Sequence, residues 1–160
     1  MYATYVQRQL NPLMPPDVET GACEPVRFVI ALTARNGRVS LDYEELGSGN
    51  DYIAIRQDCI VEIELKGEQL FFSKDLDAIT TKEELSSFYG GIVYDGYDKE
   101  LDRYRIVRFA ARYNRKGKLG TIHGFNVNVD FLQHFDRRSG PKWVAMTIDP
   151  DIKNPPPGHG

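Results

Sequence analysis

The sequence predicts an all-β protein, an antiparallel sandwich of two sheets with about seven or eight strands and one short helix. Three observations lead there. Apolar side chains recur with period two along most of the chain, and Asn-Gly, Lys-Gly and glycine-rich turns separate the runs. No helices alternate with those runs to carry crossovers between parallel strands.

Residues 1–24 read as an extended leader, with Pro12, Pro15 and Pro16 among scattered apolar points. They lack the basic stretch followed by an apolar one that marks a secretion signal. The domain itself is expected over 25–153. Val26, Phe28, Ile30, Leu32 and Ala34 form one face of its first strand. Asn36-Gly37, both tolerant of positive φ, closes a hairpin onto Arg38 to Glu44. Gly47-Ser48-Gly49-Asn50 reads as a flexible loop, without the lysine or the strand-to-helix setting of a phosphate loop. Cys59, Val61, Ile63 and Leu65 face inward on the next strand, and Lys66-Gly67-Glu68 turns the chain so that Gln69 to Ser73 pairs back. Thr80 and Thr81 each precede a glutamate by three residues, Glu83 and Glu84, so one or two helical turns fit Lys82 to Phe88, ended by Gly90-Gly91. Along Arg103 to Tyr113 the apolar pattern slips by one after Ile106-Val107, which a β-bulge explains. Asn114 to Gly117 makes a hairpin loop, Phe125, Val127, Val129 and Phe131 stripe the following strand, and a last strand runs from Trp143 to Ile148. Residues 154–160 form a Pro/Gly-rich tail. No cysteine pair brackets Trp143, so the immunoglobulin disulfide is missing, but a sandwich of that general, immunoglobulin-like architecture is expected.

At 41% hydrophobic and 27% charged, the chain can fill a core and stay in solution. No apolar run approaches the roughly 18 residues of a membrane helix, so no membrane partner is expected. Two cysteines do not make a disulfide scaffold, and free thiols without a secretion signal point to the cytoplasm. A net charge of −3 argues against nucleic acid as a partner. The charge is uneven: residues 1–80 hold 7 basic and 13 acidic side chains, residues 81–160 hold 13 and 10. Strands of one sandwich interleave, which cancels most of that asymmetry.

Asp149-Pro150-Asp151-Ile152-Lys153-Asn154-Pro155-Pro156 follows directly on the last apolar strand. In this stretch the chain resembles the DP-EP family, small bacterial proteins of unassigned function. The resemblance implies an immunoglobulin-like sandwich and no mechanism. A nucleotide-synthetase activity is sometimes ascribed to such sequences, and no motif here supports it. On physical grounds Pro150 removes a ladder donor and stops the strand, while Asp149 accepts bonds from the turn.

Arg103, Arg105, Arg108 and Arg112 are expected on one outward face once the bulge is allowed, extended by Arg115, Lys116 and Lys118. Guanidinium forks match phosphate or carboxylate oxygens, so this row is a candidate site for a small anionic ligand. The competing reading is cross-strand pairing with Glu62, Glu64 and Asp130. Asp95, Asp98, Glu100 and Asp102, four carboxylates in eight residues of an acidic insertion near 94–102, are a candidate calcium site or a solvated hairpin tip. Tyr94 and Tyr97 beside them offer a stacking surface for a sugar or a base. His123, His134 and His159 lack zinc-ligand spacing, and no nucleophile elbow is present. No catalytic residue and no cofactor is therefore assigned. The favoured function is a non-catalytic binding or self-assembly module, forming a homodimer through a sheet edge. The alternative is a phosphate- or nucleotide-handling protein that uses the arginine row, with His123 or a carboxylate as base.

Overall fold

The computed structural model describes residues 24–35, 38–81, 89–113 and 121–154. Those residues form eleven strands in two sheets and no helix. In chain order the strands are β1 (Val26–Arg35), β2 (Arg38–Glu45), β3 (Ile53–Ala54), β4 (Cys59–Lys66), β5 (Leu70–Phe72) and β6 (Ile79–Thr81). They continue with β7 (Tyr89–Asp98), β8 (Arg103–Ala111), β9 (Thr121–Asp136), β10 (Gly140–Ile148) and β11 (Asp151–Asn154). The all-β, two-sheet expectation holds. The short helix expected at Lys82 to Phe88 lies outside the described residues, and Gly90-Gly91 belongs to β7.

The first sheet runs β2-β1-β4-β8-β7. Arg35 pairs with Arg38, the spacing a two-residue Asn-Gly turn dictates. β4 keeps its period of two, with Cys59, Val61, Ile63 and Leu65 buried and the residues between them partly exposed. The sheet is not purely antiparallel, which corrects the expectation. β1 and β4 pair in parallel, from Val26 opposite Val61 to Ala31 opposite Lys66. β2 makes that possible: it carries the chain back to the end where β1 begins, with Glu45 opposite Phe28, and residues 46–58 pass through β3 in the other sheet before β4 starts on the far side of β1. First-half and second-half strands adjoin at β4–β8 and at β5–β9, so the charge asymmetry along the chain does not divide the molecule.

β9 is the spine of the second sheet. β10 pairs along it from Asp136 to Val127, while β5 and β6 take its other edge. Gln69 to Ser73 thus does not turn back onto β4, because Leu70 to Phe72 pair with Phe131 to Val129. Asp149-Pro150 interrupts the last strand without ending its pairing. Ile148 lies opposite Val127 and Asp151 opposite Gly124, three positions on in each strand, so β11 resumes in the register of β10. β3 then adds to β11 in parallel.

The bulge is real but sits elsewhere than expected. β8 pairs with β4 without a shift from Ala111 to Ile106, whereas β7 shifts between Gly90 and Val93. Gly91 takes φ +66 there, a conformation that favours glycine. Between the sheets, Phe28, Ile30, Ile63, Leu65, Val107 and Phe109 meet Leu70, Phe72, Phe125, Val127 and Val129, with Tyr89 edge-on to Phe109 at 6.1 Å.

Candidate functional site

An unbroken β8 splits the arginine row. Residues 103 and 105 alternate with residue 108, so the four guanidiniums do not share one face. Arg103 reaches the second sheet, where its Nε donates to Asp130 Oδ2 at 2.9 Å and its guanidinium lies 4.4 Å from the Trp143 ring centre. Side chains of this pair are only 11% and 9% exposed, so it is an interlayer strut. The Lys74 N–H also donates to Asp130. Arg105 stacks 4.2 Å over Phe71 and donates to the Gly67 carbonyl. Arg108 is held by two carboxylates, Glu62 and Asp95, each at 2.8 Å. Arg112 follows the end of β8, and its Nη2 is buried with no hydrogen-bond partner among the described residues.

The acidic stretch is likewise dispersed. Tyr89–Asp98 is strand, so only the residues between Asp98 and Arg103 turn. Asp95 bonds Arg108 and the Gly96 N–H, Asp98 accepts the Leu101 N–H, and Asp102 accepts Lys74 and Tyr97. Arg108, then the Gly96 N–H, hold the Asp95 carboxyl below the usual range, and Lys74, then Tyr97, do the same for Asp102. No group of three or more acid, histidine or cysteine side chains among the described residues is arranged to hold a metal ion, so the calcium set does not assemble. Tyr94, Tyr97 and Tyr104 do come together, with Tyr104 at 5.6 Å from Tyr94 and 5.0 Å from Tyr97. The Tyr97 hydroxyl is raised to about 12, chiefly by its bond to Asp102, and Tyr94 to about 12 by burial. The side chains of His123, His134 and His159 lie outside the described residues.

A different place is open to a ligand. An open cavity of about 730 Å³ lies where β1 begins, β2 ends and β3 passes, edged by Glu24, Arg27, Glu45, Gly47, Ala54 and Arg56, with the Glu24 carboxylate exposed at its rim. Its wall is a closed loop. The Glu45 N–H donates to Asn50 O at 2.7 Å, Gly49 N–H returns to Glu45 O at 2.9 Å, and Leu46 N–H reaches Arg27 O at 2.9 Å. Gly47 and Gly49 take φ +95 and +74, so glycine suits both positions, and a Cβ at Gly47 would meet nothing. Glu45 is buried, and its carboxylate accepts Ser48 Oγ at 2.6 Å and the Ala54 N–H at 2.9 Å. Its charge is therefore engaged inside the wall. Arg56 is exposed and makes no ion pair or hydrogen bond among the described residues, which leaves its fork available. Arg27 has one long contact, 3.5 Å to Glu62.

Sequence reasoning missed Arg27 and Arg56, which are 29 positions apart and share no motif. The one visible signal was Gly47-Ser48-Gly49-Asn50, which proves to be a hydrogen-bonded turn rather than a flexible loop. A smaller open hollow of about 400 Å³ on β1–β2 is lined by Asp42, Glu44 and Asp51, a poor match to an anion.

The fold and this site define a two-sheet, all-β protein with an open cavity that offers cationic forks beside a glycine-bearing turn. The chain belongs to the pNTSase1 family, described as "Predicted novel nucleotide synthetase", whose model matches residues 1–157 of 160. No curated protein matches it. Membership overturns the resemblance to the DP-EP family. It equally overturns the expectation of a non-catalytic, immunoglobulin-like binding or self-assembly module, and favours the nucleotide-handling alternative. Among the described residues no helix is long and apolar enough to cross a membrane.

Proposed function

We propose that the protein is a nucleotide-handling enzyme of the synthetase class and that the phosphate end of its nucleotide lies in the cavity against Arg27 and Arg56. The observation that carries this reading is the family match over residues 1–157. The cavity supports it in three ways. Its volume, about 730 Å³, suits a small-molecule site. Arg56 is uncommitted, and Arg27 keeps most of its donors free, so two planar forks are available for phosphate oxygens. Gly47 carries no side chain to hold a ligand away from the backbone.

Equilibrium dialysis with radiolabelled ATP and GTP, and with adenosine and guanosine as phosphate-free controls, tests the reading. At least one triphosphate is retained and neither nucleoside is. The double variant Arg27→Gln/Arg56→Gln weakens retention about tenfold or more, since each charge-assisted bond contributes about 1.5–3 kcal/mol. Wild-type protein that retains neither triphosphate, or a double variant that binds as well as wild type, overturns the reading. Anion-exchange chromatography of the same mixtures tests the synthetase step, which requires a new nucleotide species.

A further inference from the structure

Arg27, one of the two cavity arginines, is the end of a chain of charges that crosses four strands. On the first sheet Arg27 lies opposite Glu62, and Glu62 opposite Arg108. Glu62 accepts from Arg108 Nε at 2.8 Å and lies 3.5 Å from Arg27 Nε. Arg108 turns its Nη1 to Asp95, on β7, at 2.8 Å. Exposure falls toward the middle: the Arg27 side chain is 59% exposed, Arg108 36%, Glu62 only 13%. The carboxylate is thus committed to Arg108 by a short bond and touches Arg27 only loosely. Asp95 is held below the usual carboxylate range by Arg108, and Arg108 is held further above its own by Asp95 and Glu62, in keeping with a tight pairing.

We infer that Glu62 is an internal competitor for Arg27, and that Arg108 sets the affinity of the phosphate site by neutralising Glu62. This rests on the cavity reading above and names how that site is tuned. A carboxylate 3.5 Å from a guanidinium cancels much of the field that guanidinium presents to an anion. A second guanidinium bonded to the same carboxylate restores part of that field, the rest of its charge being taken by Asp95. Neither Glu62 nor Arg108 borders the cavity, so both act through Arg27 as positioning residues.

The two variants are expected to move affinity in opposite directions, which loss of structure does not do. Dialysis against ATP and GTP is run on wild type, Glu62→Gln, Arg108→Gln, the double variant, and Arg56→Gln as a marker of the cavity. Glu62→Gln binds the retained triphosphate about two- to fivefold tighter, the range of a partly exposed ion pair. Arg108→Gln binds it about two- to fivefold more weakly, and the double variant falls close to Glu62→Gln. A gain of affinity in Glu62→Gln cannot come from a damaged fold. If Arg56→Gln weakens binding while Glu62→Gln leaves it unchanged or weakens it, this inference falls and the cavity reading stands. If wild type retains neither nucleotide, both fall.

Discussion

Asp130→Ala tests the finding that Arg103 is a strut between the sheets. The substitution removes the acceptor of a 2.9 Å ion pair whose side chains are 11% and 9% exposed. A buried pair broken on one side typically costs about 3–5 kcal/mol, because the remaining charge is left without compensation. Two local features soften this. Arg103 also donates to the Asp102 carbonyl at 3.0 Å and lies over Trp143. The Lys74 N–H, however, loses its bond to the same carboxylate. The lower end is therefore expected, about 3 kcal/mol, or a fall in Tm of roughly 6–12 °C for a chain of this size. Urea unfolding followed by circular dichroism measures the loss. The double variant Arg103→Met/Asp130→Val, which removes both charges, recovers at least half of it. A loss below about 1 kcal/mol for Asp130→Ala, the range of an exposed pair, refutes the strut.

Two further expectations concern stability. Gly96 has φ +67, and a Cβ there would sit 3.3 Å from the Ile106 Cγ1 and 3.4 Å from the Arg105 Cβ, while Gly47 has φ +95 and open space. Gly47→Ala is expected to cost about 1 kcal/mol from the backbone alone, and Gly96→Ala measurably more, by thermal unfolding. Asp102 is held below its ordinary value of 3.8, so its stabilisation is complete above that value and is lost as pH falls through the lowered one. Asp102→Asn, which keeps a residue tolerant of φ 54, is expected to cost at most about 1 kcal/mol at neutral pH and nothing once the pH is well below the folded value.

What the sequence made legible follows from period. The β1–β2 hairpin and the buried stripe of β4 are written in side chains that alternate every second residue, and the structure keeps them; on β9 it buries Phe125, Val127 and Val129 as expected but also Asn128 and Asp130, and leaves Phe131 partly exposed. Strand order is not so written. Val26 and Val61 are parallel partners because β2 returns the chain to the start of β1 and β4 then takes the other edge of β1, and period-two alternation is the same for either direction. The three residues Leu70 to Phe72 are all buried, so they carry no stripe to say which sheet receives them. The arginine face failed for a related reason. A slip in apolar pattern along β8 suggests a bulge there, but the extra residue is at Gly91 on the neighbouring strand. Without that bulge, Arg103 and Arg105 part from Arg108. The cavity was illegible because its two cations come from separate strands and loops, and only the fold brings them together.

Arg27 and Arg56 are proposed to receive the phosphate end of a nucleotide. Nitrogen–proton NMR of the arginine side chains, assigned through single Arg→Lys variants, reads this directly during titration with ATP and then GTP. The Nε–H signals of Arg27 and Arg56 are expected to move and saturate together with one of the two, while those of Arg103 and Arg105 stay in place. Signals that move at Arg103 and Arg105 instead, or at no arginine with either nucleotide, rule out a phosphate site at Arg27 and Arg56.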